Sequence, residues 1–353
     1  MTSHAPVNAD GEADPHWDVG DSPEAWLALA EAEQIGDGLP IVPPTPDRLR
    51  RWLDSTDRDG DEVLGTVPPR WGRLTIKALA INAIMAGTTP EMFPVLIAAF
   101  EGMVRKEFNL FTIQVTTNPV TPLVMVSGQV ATDIGMNGGI GYLGPGNRAN
   151  ATIGRAVRLT LHNVGGAHPG TTDRATGGQP GKYSLAFAEN QADSPWQSFP
   201  ASQGLHVPSS VLSLGAVTLF NHYDSVSSSA DDMMTNLAYT LTARGSNFMQ
   251  MGGRVLILLC PEHVRTLNRG GITRESLQQE LYERARAPVD SFPDSLMEAV
   301  RWRRKRFPAV FDDNCVRALD EPAAALVAVA GGPGKHSVVV YSLSSTGYVM
   351  QPV

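Results

Sequence analysis

The sequence is poor in cysteine and contains neither a long apolar run nor a secretory signal. Its two cysteines, Cys260 and Cys315, can form at most one disulfide, which excludes a disulfide-rich secreted fold. The longest apolar stretches, 255–260 and 323–330, are much shorter than the roughly 20 residues that span a bilayer. Residues 1–20 are polar and lack a basic segment followed by an apolar one. We therefore expect a cytoplasmic protein without a membrane segment.

Charged residues are also scarce, and acidic ones are in the majority. Asp and Glu number 36 against 28 Lys and Arg, which gives a net charge of -8. This balance argues against a nucleic-acid partner, whose phosphates require a basic surface. With 42% apolar residues the chain can bury a large core, while its 34 glycines and 26 prolines exceed average usage. These features indicate a globular protein that is rich in loops.

Helical and strand patterns alternate along the chain. In the first half, helices are predicted to begin at Ser22 and Thr45 and to cover 74–86, 92–104 (opened by a capping box at Thr88–Glu91) and 147–163, with strands at 111–116 and 122–127. In the second half, strands and helices are predicted at 211–220, 231–242, 254–260, 261–287, 295–306, 323–330 and 337–343. This alternation predicts an α/β fold, a mixed sheet with helices packed on it. We expect a mobile tail over 1–20 and two lobes, 21–205 and 206–353.

The segment 141–155 is typical of an anion-binding helix start. A Gly-Pro-Gly turn precedes a helix whose first turns carry Asn, Arg and Thr but no carboxylate. Free backbone N–H groups at such a terminus attract carboxylates and phosphates. The predicted substrate-binding residues here are Gly146, Asn147, Arg148, Asn150 and Thr152. The alternative is a tight loop with a capped helix; the glycine spacing does not match a dinucleotide-binding fingerprint.

A long Gly- and Pro-rich loop, 165–209, shows no clear periodicity. Ordered loops of this length usually carry function. Four of its side chains can donate or accept a proton, and they are the predicted catalytic residues: His168, Lys182, Tyr183 and Glu189. Asn190 is added as a substrate-binding residue. Alternatively, each of these groups has an ordinary structural role, such as a surface cation or a loop hydrogen bond.

Other motifs carry weaker signals. His162 and His168 are six residues apart with a helix end between them, and no metal-ligand spacing is present, so we predict no metal site. Cys260, followed by His263, lies where a strand ends and a helix begins, but a buried structural thiol is the better interpretation. The segment 331–337 fails as a phosphate-binding loop and is predicted to be a turn joining two strands. The sequence does not identify a cofactor.

Three segments resemble a bacterial family that is loosely associated with UGSC-type (seleno)proteins. The resemblance covers most of the chain and rests on GLPIVPPT at 38–45, GPGNRANATIGRA at 144–156 and GGPGKHS at 331–337. These motifs are specific for the family but do not identify a reaction. Family members often carry cysteine at the positions of Thr88 and Ala186. This chain lacks both of these cysteines, which disfavours redox chemistry and favours acid–base chemistry.

We therefore expect an enzyme, a hydrolase or lyase, that acts on a small anionic metabolite, a carboxylate or phosphate. In this hypothesis Arg148 and its loop bind the anion, and Lys182, Tyr183 and Glu189 transfer protons. The alternative is a non-catalytic partner subunit of a separate thiol or selenol redox protein. A homo-oligomer is compatible with both hypotheses.

Overall fold

A computed structural model describes residue 19, residues 22–312 and residues 314–353. The predicted mobile tail, residues 1–20, lies outside the described residues except for Val19. The α-helices are α1 (Pro23–Ala32), α2 (Pro46–Leu53), α3 (Ile76–Ala86), α4 (Phe93–Met103), α5 (Leu110–Val115), α6 (Gln129–Asp133), α7 (Arg148–Asn163), α8 (Phe199–Ser202), α9 (Ala230–Leu241), α10 (Asn247–Met251), α11 (Pro261–Arg269), α12 (Arg274–Arg284) and α13 (Asp294–Arg306). The strands are β1 (Val63–Val67), β2 (Gly72–Thr75), β3 (Thr121–Gly128), β4 (Ala186–Ala188), β5 (Ser209–Tyr223), β6 (Val255–Leu259), β7 (Arg286–Pro288), β8 (Phe311–Asp312), β9 (Cys315–Arg317), β10 (Ala325–Val329), β11 (His336–Ser342) and β12 (Tyr348–Pro352).

The main sheet is mixed and seven-stranded, with the order β10-β6-β11-β5-β3-β4 and with β12 paired to β5. The two outer pairs, β10–β6 and β3–β4, are parallel, and the inner pairs are antiparallel. β5 is long enough to pair with β3 along its first half and with β11 along its second half. The predicted α/β fold with a mixed sheet is confirmed.

The sheet curls so that its two edge strands approach each other. Asn190, two residues after β4, donates from its backbone N–H to the carbonyl of Val329 at the end of β10, with an N···O distance of 2.8 Å. Strands from both sides of residue 205 belong to this one sheet. The division into lobes 21–205 and 206–353 stays a prediction.

Each face of the sheet carries its own apolar core, because side chains alternate along a strand. Val124 of β3 packs with the helices of the first half, and Ile257 of β6 packs with those of the second half. Their neighbours Leu123 and Leu258 lie in a third core on the other face, together with Phe187. Helices thus cover the outer face of the curl, and the inner face is mainly apolar.

Local capping explains several helices that the sequence predicts. Ser22, Thr45 and Asn147 are the N-caps of α1, α2 and α7, and each side chain accepts a backbone N–H from the first turn. α3 is buried on almost every side and ends at Gly87, whose φ of 89° is a left-handed conformation that suits glycine.

Two local predictions are wrong. Residues 111–116 do not form a strand, because Leu110–Val115 is a short helix that buries Leu110 and Ile113, so tertiary packing overrides the strand propensity. The capping box at Thr88–Glu91 does not form either. Thr88 is buried and accepts a hydrogen bond from Trp52 Nε1 instead, and a 3₁₀ turn precedes α4.

The turn at 331–337 does join two strands, β10 and β11, but they do not pair with each other. β6 lies between them in the sheet. Across the described ranges, no helix combines the length and apolar character needed to cross a membrane.

Candidate functional site

A cavity of about 680 Å³ opens between α1, the segment 36–41 and the loop that follows α7. One side is apolar and the other is polar. The residues that matter for its chemistry are Leu27, Leu39, Ile41, Arg70, His162 and His168. The cavity therefore lies between two sequence motifs, the GLPI segment (Gly38–Ile41) and the loop that contains His168.

The reversal of the chain after α7 brings His162 and His168 together. Gly166 adopts a φ of 70°, and its N–H donates to the carbonyl of His162, while Ala167 N–H donates to that of Leu161. These bonds satisfy the last carbonyls of the helix and turn the loop back over it. The two imidazole centroids are 4.2 Å apart, with an interplanar angle of 71°.

The hydrogen bonds of the two rings differ. His162 Nε2 lies 2.6 Å from the carbonyl oxygen of Gln34. Since a carbonyl only accepts, Nε2 carries the proton and Nδ1 of the neutral ring keeps its lone pair. The ring nitrogens of His168 have no hydrogen-bond partner among the described residues, so this ring is available to a ligand in the cavity.

Both histidines are held neutral. Burial, followed by His162, Arg70 and Arg158, lowers the pKa of His168 from 6.5 to about 4. Burial also lowers the pKa of His162, with Arg158 and Arg70 contributing and the Gln34 carbonyl opposing. Nearby arginines that disfavour a second positive charge also favour a bound anion.

Arg70 supplies an exposed guanidinium at the cavity. Its backbone N–H donates to the carbonyl of Gly165, and its side chain crosses the face of Gly166 so closely that a Cβ there would lie 2.8 Å from Arg70 Nε. The guanidinium has no hydrogen-bond partner among the described residues. This arrangement leaves Arg70 able to pair with an anionic ligand.

A buried ion network orders the loop that carries His168. Asp173 Oδ2 accepts hydrogen bonds from Lys182 Nζ at 2.6 Å and from Arg158 Nη2 at 3.2 Å. Burial opposes ionisation of Asp173, but the bond from Lys182 holds its pKa below the usual range. Asp173 N–H in turn donates to the carbonyl of His168. Lys182, predicted as catalytic, is thus engaged in an ion pair that supports the loop.

A second buried ion pair fixes the other wall. Arg155 on α7 donates from Nε to Asp37 Oδ2 at 2.7 Å and from Nη2 to Asp37 Oδ1 at 2.8 Å. Arg155 also donates to the carbonyl of Leu39. The pair therefore attaches the GLPI segment to α7 and keeps Leu39 at the cavity.

The predicted anion-binding residues at the start of α7 have protein partners. Asn147 caps the helix, and Arg148 donates to the carbonyls of Gly87 and Thr88 at the end of α3. Buried Asn150 exchanges hydrogen bonds with the backbone of Asn137 and donates to the carbonyl of Tyr142.

Two further predicted binding residues, Thr152 and Gly146, also lie at the N-terminus of α7, with different contacts. Thr152 Oγ1 donates to the carbonyl of Arg148, and Gly146 is exposed with a φ of 107°. The amides, the hydroxyl and the guanidinium of this region thus make local structural bonds, and an anion would have to displace some of them.

The remaining predicted residues lie in different environments. Glu189 is buried, where Phe199 N–H donates to its Oε1 at 2.7 Å, and burial raises its pKa despite hydrogen bonds from Ser127 and Phe199. Asn190 donates to the carbonyl of Gly331, which ties the long loop to the turn at 331–337. Tyr183 is 56% exposed. Of the predicted catalytic residues, only His168 lines the cavity.

Cys260 and His263 are buried in a satisfied chain of hydrogen bonds. His263 Nε2 donates to the carbonyl of Asp224, Ser337 Oγ donates to His263 Nδ1 at 2.7 Å, and Cys260 N–H donates to Ser337 Oγ at 3.0 Å. Burial raises the pKa of the Cys260 thiol. This environment favours an inert thiol.

Sequence reasoning missed Arg70 and the pairing of His162 with His168. The six-residue spacing across a helix end, with Gly165-Gly166 between the two histidines, is the signal that points to a reversal bringing both rings together. Within 22–312 and 314–353, no three His, Cys, Asp or Glu side chains are grouped closely enough to hold a metal ion. No protein-family model matches the chain, and comparison with curated proteins gives no significant match. The resemblance to the UGSC-associated family stays a prediction.

Proposed function

We propose that the protein is an enzyme that acts on a small carboxylate or phosphate metabolite in the cavity beside His162 and His168. The observation that carries this proposal is the pair of imidazoles, 4.2 Å apart and with lowered pKa values, beside the Arg70 guanidinium, which has no hydrogen-bond partner among the described residues. Such a site attracts an anion and offers it a proton acceptor.

Two parts of the substrate contact different sides of the cavity. The anionic group pairs with the Arg70 guanidinium, which can form two parallel hydrogen bonds to a carboxylate or phosphate. The carbon skeleton packs against the apolar wall of Leu27, Leu39 and Ile41. This division favours a metabolite of a few carbons over an inorganic ion.

His168 is the proposed general base. Its neutral ring accepts a proton from water in a hydrolysis or from a carbon next to the anionic group in an elimination. A bound anion raises the pKa of His168 towards neutrality, because a nearby negative charge favours the imidazolium. His162, whose orientation is set by Gln34, stabilises that imidazolium through its Nδ1 lone pair.

A kinetic screen tests the assignment. Esters, lactones and hydroxy acids with a free carboxylate, and phosphomonoesters, are offered to the purified chain. With any substrate found, His168→Gln should lower kcat about 100-fold or more, as loss of a general base does. Arg70→Ala should chiefly raise KM, because it removes ground-state binding of the anion. His206→Gln and Arg73→Ala, which change exposed residues of the same types, are the matched controls.

The pH profile gives a second readout. Because kcat/KM reports the free enzyme, its acid limb should follow the low pKa of His168, about 4, instead of the 6.5 of an ordinary histidine. A limb near 6.5, or full activity in His168→Gln, would contradict the assignment. A chain that is inert alone and active only with a thiol or selenol protein would support the partner-subunit alternative.

A further inference from the structure

Arg274 is a buried cation whose hydrogen bonds are incomplete. It is the first residue of α12 and is only 2% exposed. Nη2 donates to the carbonyl of Gln197 at 2.9 Å, whereas Nε and Nη1 are buried and have no partner among the described residues. Charged donors that lack acceptors in the interior cost free energy, so we expect a hydrogen-bond acceptor at this site.

A second unsatisfied donor lies beside it. The Arg274 guanidinium carbon is 5.6 Å from the centre of the Trp196 ring, and Trp196 Nε1 is itself buried without a partner. The two side chains are thus in contact, and each has a donor without an acceptor. All three free atoms are N–H donors.

Two carboxylates act electrostatically on Arg274, Glu189 and its neighbour Glu275 in the first turn of α12, but neither accepts a hydrogen bond from it. Glu189 interacts with Arg274 electrostatically but makes no hydrogen bond to it, because its oxygens accept from Phe199 N–H and from Gln191 Nε2. Burial also favours the neutral form of Glu189 by raising its pKa. The positive charge of Arg274 therefore has no hydrogen-bonded counter-ion among the described residues.

The helix adds to the positive potential. α12 is 11 residues long, and its N-terminus carries a partial positive charge, so a cation in its first turn is opposite to the usual preference. A buried water would satisfy these donors poorly, since it would bring two hydrogens of its own that need acceptors. An anion accepts from every donor and neutralises the charge.

We propose that Arg274 and Trp196 form a buried binding site for a small carboxylate, distinct from the histidine cavity. The planar guanidinium matches the planar carboxylate, and Trp196 Nε1–H supplies a further donor. Trp196 packs against the apolar core of the second half, which includes Leu277 of α12 and provides an environment that suits a short carbon chain.

Formate is the probe for this site. The dissociation constant of ¹³C-formate is measured by NMR on the full chain in an Arg70→Ala background, which disables the histidine cavity. We expect saturable binding that weakens at least about tenfold in Trp196→Phe, where the ring stays and one donor is lost. Arg274→Gln should abolish binding, and Arg269→Gln, which alters an exposed arginine on the neighbouring helix, should leave it unchanged.

Competition by other ions defines the ligand class. Acetate should displace formate, whereas chloride and sulfate should do so at least about tenfold less well, because chloride has no pair of oxygens and sulfate is a larger, doubly charged tetrahedral ion. Absence of saturable formate binding, equal affinity in Trp196→Phe, or equal displacement by chloride would each overturn the proposal. Should Arg274→Gln not fold, Trp196→Phe alone decides. A failure of formate binding would not affect the kinetic test of His168, and a failure of that kinetic test would not affect formate binding.

Discussion

At the scale of single residues, Asp173 connects two cations to the loop that carries His168. Its carboxylate lies within 3.2 Å of both Lys182 and Arg158, and its side chain is 6% exposed. Since burial removes water from all three groups, the charges of Lys182 and Arg158 both depend on the Asp173 carboxylate, and the carboxylate depends on them. The same arrangement gives Lys182, a predicted catalytic residue, an ion pair that supports the loop.

Asp173→Asn should therefore lower the free energy of unfolding by about 3 kcal/mol, because two buried cations lose their counter-ion. Urea denaturation measures the loss. Asp193→Asn is the control, since Asp193 pairs with Arg265 at the surface, where an ion pair contributes under about 1 kcal/mol. Equal losses in the two variants would show that the Asp173 network is not a buried one in solution.

At the scale of elements, α7 positions most of the candidate site. It places His162 at the cavity, its Arg155 and Arg158 form the ion pairs that hold the cavity walls, and it packs against β4 and the segment that leads into it. Gly154 makes this approach possible. A Cβ at Gly154 would collide with Ser184 Oγ and would lie 2.5 Å from the backbone nitrogen of Leu185.

Gly154→Ala should thus destabilise the protein by about 2 kcal/mol or more, as overpacking does, although alanine is the better helix former by about 1 kcal/mol. Thermal or urea unfolding measures this change. Ala151→Gly, on the exposed side of the same helix, is the matched control and should cost about 1 kcal/mol through propensity alone. A stabilising effect of Gly154→Ala would show that α7 does not approach Ser184 closely.

At the scale of the whole molecule, one sheet includes strands from both predicted lobes. β5 is its centre, because it pairs with β3 of the first half along 209–216 and with β11 of the second half along 216–223. Separating the halves at 205 would expose the paired edges of β3 and β5 together with apolar side chains on both faces. We therefore expect the chain to fold cooperatively as one unit.

Separate fragments 22–205 and 206–353 should accordingly fail to unfold cooperatively, whereas the two expressed together should recover a single transition. Circular dichroism and calorimetry on each fragment, on the mixture and on the full chain provide the comparison. Two independent cooperative transitions from the isolated fragments would instead establish the two predicted lobes as domains.

Much of the architecture could be predicted from local signals. The caps at Ser22, Thr45 and Asn147, and the glycine that ends α3, act within one helical turn, so neighbours in sequence suffice to specify them. The strand at 111–116 was predicted wrongly because its propensity gives way to packing. Strand β4 was missed since three residues carry no readable period.

The candidate site was only partly predictable. The sequence indicates His168 because its loop is too long and too rich in glycine to be an ordinary connection. Arg148 and Asn150 have the right residue types for anion binding, yet their hydrogen bonds go to backbone groups that only the folded chain brings near. Arg70 carries no sequence signal at all, because nothing near it in the chain marks it as adjacent to α7.

The sequence by itself determined the α/β class, most helix starts and the absence of a disulfide framework, since these depend on residue type and on contacts within a few positions. Only the tertiary structure decided which charges meet. Lys182 pairs with Asp173, and Arg274 lies over Trp196, 78 positions away along the chain, while no carboxylate among the described residues reaches its free donors. The physical reason is that desolvation and pairing depend on how whole elements pack, and no local pattern records that packing.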